Sequence, residues 1–201
     1  MTRPVAVAIT GGIGAGKSEA LRAFARHGAA TVSSDEIVHH LLQRDDVRDA
    51  VAARLGRGVV EPETGKLDRQ AIATIVFNDR GALEWLEQLL HPLVSAEYLR
   101  WRDQLAQLPD APRVCVTEVP LLYEAGGDRR FDKVVLVTAP RNLRDLRTDG
   151  RSQGREERLI PDADKRKRAD YVFVNTGSLE QLDDFVASVM RDVAPRSEPP
   201  S

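Results

Sequence analysis

Near the amino terminus, Gly11-Gly12-Ile13-Gly14-Ala15-Gly16-Lys17-Ser18 sets four glycines, a lysine and a hydroxyl at the spacing G-x-x-x-x-G-K-[ST]. That combination suits the capture of a phosphate chain. Glycine tolerates positive φ, so the backbone can wrap closely enough for successive N–H groups and a following helix N-terminus to face one anion. Lys17 then reaches the β- and γ-phosphate oxygens of a nucleoside triphosphate, and the Ser18 hydroxyl is a hard oxygen ligand suited to Mg²⁺. Only five of the 29 basic residues are lysines, so Lys17 does not come from a lysine-rich background. The [NT]-K-x-D sequence that reads guanine does not follow a late strand, which favours ATP and phosphoryl transfer.

Such a loop must join a buried strand to a helix, and the flanking residues supply both. Pro4 to Thr10 is a short apolar run ending at Gly11-Gly12, the pattern of a central parallel strand, and a helical stretch runs from about Lys17 to His27. Ala30 to Ser33 reads as a second strand and Asp35 to Gln43 as a helix, while Val47, Val51 and Leu55 continue at helical spacing to Gly56. Gly56 to Gly65 is a connection, after which Asp68 caps a helix to about Phe77. Asn78-Asp79 separates that helix from a longer pattern between Leu83 and Leu108. Proline lacks a backbone donor and clashes with the preceding turn, so His91-Pro92 should break or kink it. Arg113 to Val119, Phe131 to Thr138 and Tyr171 to Val174 complete the strands. A last helix from Leu179 to Met190 opens with Ser178 and Gln181 at capping-box spacing. The alternation makes the chain α/β with a parallel five-stranded sheet.

Composition narrows the class of function. The 201 residues, 42% hydrophobic and 30% charged, describe a globular protein large enough to need no metal or disulfide staple. The single cysteine, Cys115, lies within Val114-Cys115-Val116 and reads as core packing in a reduced, cytoplasmic setting. No run approaches the roughly 18 apolar residues of a membrane span, and Met1-Thr2-Arg3-Pro4 leads into a strand without a signal-peptide core. The net charge of -2 argues against nucleic acid as a partner. Residues 141 to 170 nevertheless hold ten Lys or Arg against seven Asp or Glu, a place for something anionic to meet the chain. Within them, Lys165-Arg166-Lys167-Arg168 reads as a solvated helix face.

Thr10 to Ser18, Ser34-Asp35, Leu67-Asp68-Arg69, Ile75-Val76-Phe77, His91-Pro92, Val119-Pro120-Leu121-Leu122-Tyr123-Glu124, Ala169-Asp170 and Asn175-x-Gly177 together resemble the dephospho-coenzyme A kinase family, in family order from about residue 5 to 190. The resemblance implies a P-loop kinase fold. Its nucleotide-binding core would comprise residues 1–34, 109–140 and 169–193, with a helical acceptor-binding insertion at 35–108, a lid at 141–168 and a flexible tail at 194–201. It also implies ATP-dependent phosphorylation of the ribose 3′-hydroxyl of dephospho-coenzyme A with Mg²⁺, the last step of coenzyme A biosynthesis. Charge and hydropathy leave nucleic acid and membrane out as expected partners, and the sequence leaves the oligomeric state open while favouring a monomer. Two alternatives share the loop chemistry: a small-molecule kinase of the nucleoside-monophosphate type, and a weakly catalytic ATP-binding regulatory module.

The resemblance distributes roles over individual residues. Gly12, Ile13, Gly14, Ala15, Gly16, Lys17, Ser18 and Glu19 hold ATP, with Asn175 and Gly177 at the adenine. Asp35, just past the second strand, corresponds to the family's catalytic carboxylate; a carboxylate there can accept the acceptor hydroxyl's proton, and the alternative is that it only caps its helix. Arg69, His91, Glu118, Leu121 and Leu122 fall to the acceptor side. Glu118 could also hold a Mg²⁺-bound water. Arg147 and Arg151 keep the R-x-x-x-R spacing of the lid, one helical face turned to the phosphates. The chain departs from the pattern at Glu19, where the family has Thr, at Ser33 in place of an acid, at Glu118 for Asp, and in a shorter lid where Arg155 or Arg158 could substitute.

Overall fold

A strand buried on both faces needs neighbours on both edges and layers above and below. The computed structural model, which describes residues 3–148 and 159–194, supplies them for Val5–Thr10. The described strands are β1 (Val5–Thr10), β2 (Ala30–Ser33), β3 (Val114–Glu118), β4 (Lys133–Thr138) and β5 (Tyr171–Val174). They form one parallel sheet in the order β2-β3-β1-β4-β5, with β1 central. The described helices are α1 (Lys17–Arg26), α2 (Ser34–Leu41), α3 (Asp45–Leu55), α4 (Arg69–Asn78), α5 (Arg80–Ala106), α6 (Arg141–Thr148), α7 (Asp162–Arg166) and α8 (Leu179–Val193). Because every strand is parallel, all five carboxyl ends lie along one sheet edge, where α/β proteins place ligands.

The pleat sorts the core. Val7 and Ile9 of β1 join Val114, Val116, Val135 and Val137 on one face, against Ala20, Ala23 and Phe24 of α1 and Leu182, Val186 and Val189 of α8. Each such branched side chain, fully buried, contributes about 1.5–3 kcal/mol. Ala8 points to the opposite face, against Leu122, Tyr123 and Val134. At the other sheet edge, Asp170 accepts from the Val134 N–H at 2.8 Å and pairs with Lys133, which anchors β4 to the start of β5.

The chain divides into two compact units, one of residues Met1–Ser34 with Arg102–Ser201 and one of Asp35–Trp101. The divisions fall one residue into α2 and near the end of α5. In the second unit Asp68 caps α4, accepting from the Gln70 and Ala71 N–H groups at 2.8 and 3.0 Å.

Three local expectations are corrected. Of the break or kink expected at Pro92, the break does not occur, since α5 runs from Arg80 to Ala106. The bond proline cannot donate is the one to the Gln88 carbonyl, and both residues are exposed, so its loss strands no buried group. Ser178 caps α8 through the Gln181 N–H at 3.2 Å, but the Gln181 side chain accepts from Thr176 Oγ1 at 3.3 Å, so the reciprocal half of the capping box is absent. Lys165 is fully buried rather than solvated, because its long stem enters the core beneath α7 and its Nζ lies 2.8 Å from Glu124 Oε1. That approach is off the hydrogen-bond direction, so the attraction is chiefly ionic. The same Glu124 oxygen accepts from the Ile160 N–H at 2.9 Å, which joins the loop after β3 to the segment entering α7.

Removing one member of a buried pair strands the other charge. Lys165→Met should therefore lower the free energy of urea unfolding by about 3 kcal/mol, and adding Glu124→Gln should restore most of it. A loss below about 0.5 kcal/mol in the single variant would mean the pair contributes no more than an exposed one.

Candidate active site

The loop after β1 takes its shape from glycine. At Gly11 φ is +144°, and a side chain there would meet the Val137 carbonyl oxygen of β4 at 1.9 Å. At Gly16 φ is +99°, and a methyl group would sit 2.3 Å from the Asn175 amide nitrogen. Having no side chain, Gly16 cannot cap α1, so no N-cap side chain takes the first amides of that helix, an arrangement that suits an anion. Lys17 is 9% exposed and folds back so that Nζ donates to the Gly12 carbonyl at 3.0 Å. Ser18 is exposed at the start of α1.

Helix α6 brings cations to the same loop. Arg147 donates to the Gly14 carbonyl at 3.2 Å and to Asn175 Oδ1 at 3.3 Å. Arg144, which the sequence reading did not single out, lies one turn earlier, with Nη1 2.6 Å from where a Gly12 methyl would be. Its i,i+3 spacing to Arg147 was the available signal, diluted by the other arginines of the stretch. Asp162 was also missed. It accepts from Thr138 Oγ1 at 2.5 Å and lies beside Gly12, so it ties the carboxyl end of β4 to α7. Arg151, Arg155 and Arg158 lie outside the described residues.

Asn175 follows β5 and is 7% exposed. Its amide donates to the Ala15 carbonyl at 2.9 Å and accepts from the Gly177 N–H at 3.0 Å. The sequence places this side chain at the adenine; in the structure its amide bonds to the phosphate loop and to its own loop.

Glu19 does not turn its carboxylate to the loop. It pairs with Arg22 at 2.7 Å and Arg26 at 3.3 Å, both further along α1. The Arg22 hydrogen bond, followed by that of Arg26, holds its carboxyl below the ordinary value of 4.5. An already paired carboxylate repels a polyphosphate weakly, so Glu19→Thr should leave Mg-ATP affinity within about twofold at low and high salt. A carboxyl with a lowered folded-state value stabilises the fold above its unfolded value and loses that contribution as pH falls through the folded one. The stability difference between wild type and Glu19→Thr should therefore shrink in thermal melts taken below pH 4.5. A salt-dependent gain in ATP affinity would return Glu19 to the phosphate site.

Beside β1, Glu118 closes β3 in register with Ile9 and Ser33 and is buried, and its carbonyl accepts from Ser34 Oγ at 2.8 Å. Leu121 is half-buried, but Leu122 is fully buried against Ala8, Tyr123 and Val134. Leu122 is therefore core and not pocket lining.

In the second unit, Asp35 is exposed in the first turn of α2, and its carboxylate makes no hydrogen bond or ion pair among the described residues. It does not cap its helix. One turn on, His39 Nδ1 lies 3.3 Å from Arg69 Nη1, so Arg69 meets the face of α2 that bears Asp35. His91 is exposed on α5, and no hydrogen bond or ion pair joins its ring to these groups among the described residues.

The family model described as CoaE, dephospho-CoA kinase, matches residues 5–181. The dephospho-CoA kinase of Protochlamydia amoebophila is 35% identical over 199 residues, 93% of this chain and 95% of that protein. TT1252 from Thermus thermophilus aligns with a TM-score of 0.77 at 31% identity, covering 96% of this chain and 100% of that one. Dephospho-CoA kinase from Campylobacter jejuni shares the fold at a TM-score of 0.71 and 24% identity, over 94% and 96% of the two chains. A phosphate loop alone is common to many nucleotide-binding proteins, but this likeness runs through both compact units, and the chain belongs to the dephospho-CoA kinase family.

Proposed function

We propose that the chain transfers the γ-phosphoryl group of ATP to the ribose 3′-hydroxyl of dephospho-CoA, giving CoA and ADP, and that its own residues divide that work as follows. The observation that carries the reading is a phosphate loop faced by Lys17, Arg144 and Arg147 within one unit of a chain of this family. The loop amides and the start of α1 hold the polyphosphate of ATP, and Lys17 moves from the Gly12 carbonyl to the β- and γ-oxygens. Asp35 accepts the proton of the 3′-hydroxyl as its oxygen attacks the γ-phosphorus, and the bond from that phosphorus to the bridging β–γ oxygen breaks to release ADP. Arg144 and Arg147 offset charge on the transferring group, and Arg151 joins them in the lid at 141–168.

Arg69, His91, Glu118 and Leu121 serve the acceptor, Arg69 through a pyrophosphate oxygen. Gly177 stays with the nucleotide. Residues 1–34, 109–140 and 169–193 act as the nucleotide-binding core, and 35–108 as the acceptor-binding insertion. The Ser18 hydroxyl and Glu118 carboxylate are hard oxygen donors, a set that fits Mg²⁺ bound mainly by phosphate and water, and no group of three His, Cys, Asp or Glu among the described residues forms a protein cage. Held there, Mg²⁺ would supply charge neutralisation to the polyphosphate. Among the described residues no helix is long and apolar enough to cross a membrane. The reading places a monomer in the cytoplasm, with neither nucleic acid nor membrane as partner.

The test is mass analysis of dephospho-CoA after incubation with the protein and Mg-ATP, beside nucleoside monophosphates. A gain of one phosphate on dephospho-CoA is expected, and a nucleoside monophosphate phosphorylated in preference would overturn the acceptor assignment.

A further inference from the structure

A primary amide offers a donor and an acceptor a short reach from the backbone, and Asn175 spends both at the phosphate loop. Its Nδ2 donates to the Ala15 carbonyl at 2.9 Å, while Oδ1 accepts from the Gly177 N–H at 3.0 Å and from Arg147 Nη2 at 3.3 Å. The side chain is nearly sequestered from solvent and packs into the space Gly16 leaves by lacking a Cβ. No other residue type of that length can do both. Aspartate only accepts, and leucine does neither.

Two of the three partners, Ala15 and Arg147, belong to the phosphate loop and the cations that face it, and the third, Gly177, lies two residues on in the loop that carries Asn175 itself. Ala15 lies in the loop between two glycines of positive φ, Gly14 at +72° and Gly16 at +99°, a stretch with wide conformational freedom unless something holds it. Arg147 divides two donors between the Gly14 carbonyl and Asn175, and the rest of its five N–H groups remain to address an anion. The amide therefore sets loop and arginine in one arrangement, which lowers the ordering cost of receiving the anion.

We propose that Asn175 is a positioning residue for the phosphate loop and Arg147, acting on polyphosphate affinity and phosphoryl transfer through them and not by reading adenine. The proposal rests on ATP occupying the loop, as in the function proposed above. It separates cleanly from an adenine contact, because a base-free ligand feels the loop and cannot feel an adenine reader.

The experiment titrates the full-length wild type, Asn175→Ala and the near-isosteric Asn175→Asp with Mg-ATP, Mg-GTP and Mg-tripolyphosphate by calorimetry, with melting temperatures and steady-state kinetics alongside. Loss of one buried hydrogen-bonding side chain should weaken ATP and tripolyphosphate alike, by roughly tenfold in Asn175→Ala. The loss should be greater in Asn175→Asp, which sets an anion beside the site and holds Arg147 in an ion pair. The ATP-to-GTP preference should stay as in wild type, KM for dephospho-CoA within about twofold, and kcat should fall. If the alanine variant melts much earlier than wild type, the aspartate variant, which keeps the shape, decides. Retained tripolyphosphate affinity together with a lost ATP-to-GTP preference would make Asn175 an adenine reader and overturn the proposal, as would unchanged affinity for both ligands. Wild type that binds neither ATP nor tripolyphosphate would instead remove the ATP reading itself.

Discussion

Asp35→Asn should lower kcat by roughly 10²- to 10⁴-fold, about 3 to 5 kcal/mol of barrier, and leave the fold in place. The amide keeps the shape of the carboxylate but cannot take the proton of the attacking hydroxyl. Stability should hold because the carboxylate caps nothing: it makes no hydrogen bond or ion pair among the described residues, and the neighbouring Ser34 hydroxyl ties this point of the chain to the Glu118 carbonyl. Asparagine also caps about as well as aspartate. ATP affinity should hardly change, since Lys17 and the loop amides remain. The measurement is kcat, ATP affinity and melting temperature on one Asn variant. An intact kcat would take Asp35 out of the mechanism, whatever role the family pattern gives that position.

Lys17→Met should lower kcat/KM for ATP by roughly 10³-fold, about 4 kcal/mol, with losses in both affinity and turnover. Methionine is the informative replacement. Lys17 is mostly buried, so alanine would open space beside the loop, whereas methionine keeps much of the stem and removes only the ammonium group. Its bond to the Gly12 carbonyl keeps Nζ at the loop, from which, on the function proposed above, it moves to the β- and γ-oxygens. Calorimetric titration with Mg-ATP and steady-state kinetics on the same variant separate the two losses. A value of kcat/KM close to wild type would remove the phosphate-loop assignment, and a melting temperature far below wild type would show that the ammonium supports the fold itself.

How far sequence carried each of these assignments depends on how local its cause is. The strand from Val5 to Thr10, the turn at Gly11 and the helix from Lys17 follow from apolar runs, glycines and helix starts that act within a few residues of one another, and the structure has them there. Asp68 as a cap was equally legible, since a cap and its amides are neighbours in the chain. The family pattern added the acceptor, which no local rule supplies.

Side-chain partners far apart in sequence were decided only on folding. Asn175 finds Ala15 across 160 positions and Arg147 finds Gly14 across 133, contacts that exist because the order β2-β3-β1-β4-β5 sets the ends of β1, β4 and β5 side by side. Lys165 in a basic run and Leu122 in an apparent pocket motif were misread for the same reason. A charge can be buried when a carboxylate from another segment meets it, and an apolar side chain lines a pocket only where no other layer covers it. Glu19, beside the phosphate loop in sequence, turned away because Arg22 and Arg26 stand along the same helix. By itself, then, the sequence determined the loop, the strands, the caps and the class of chemistry, all of which are set by near neighbours. Only the tertiary structure decided which cations and which amide hold that loop, because those choices depend on which distant segments the sheet brings to one edge.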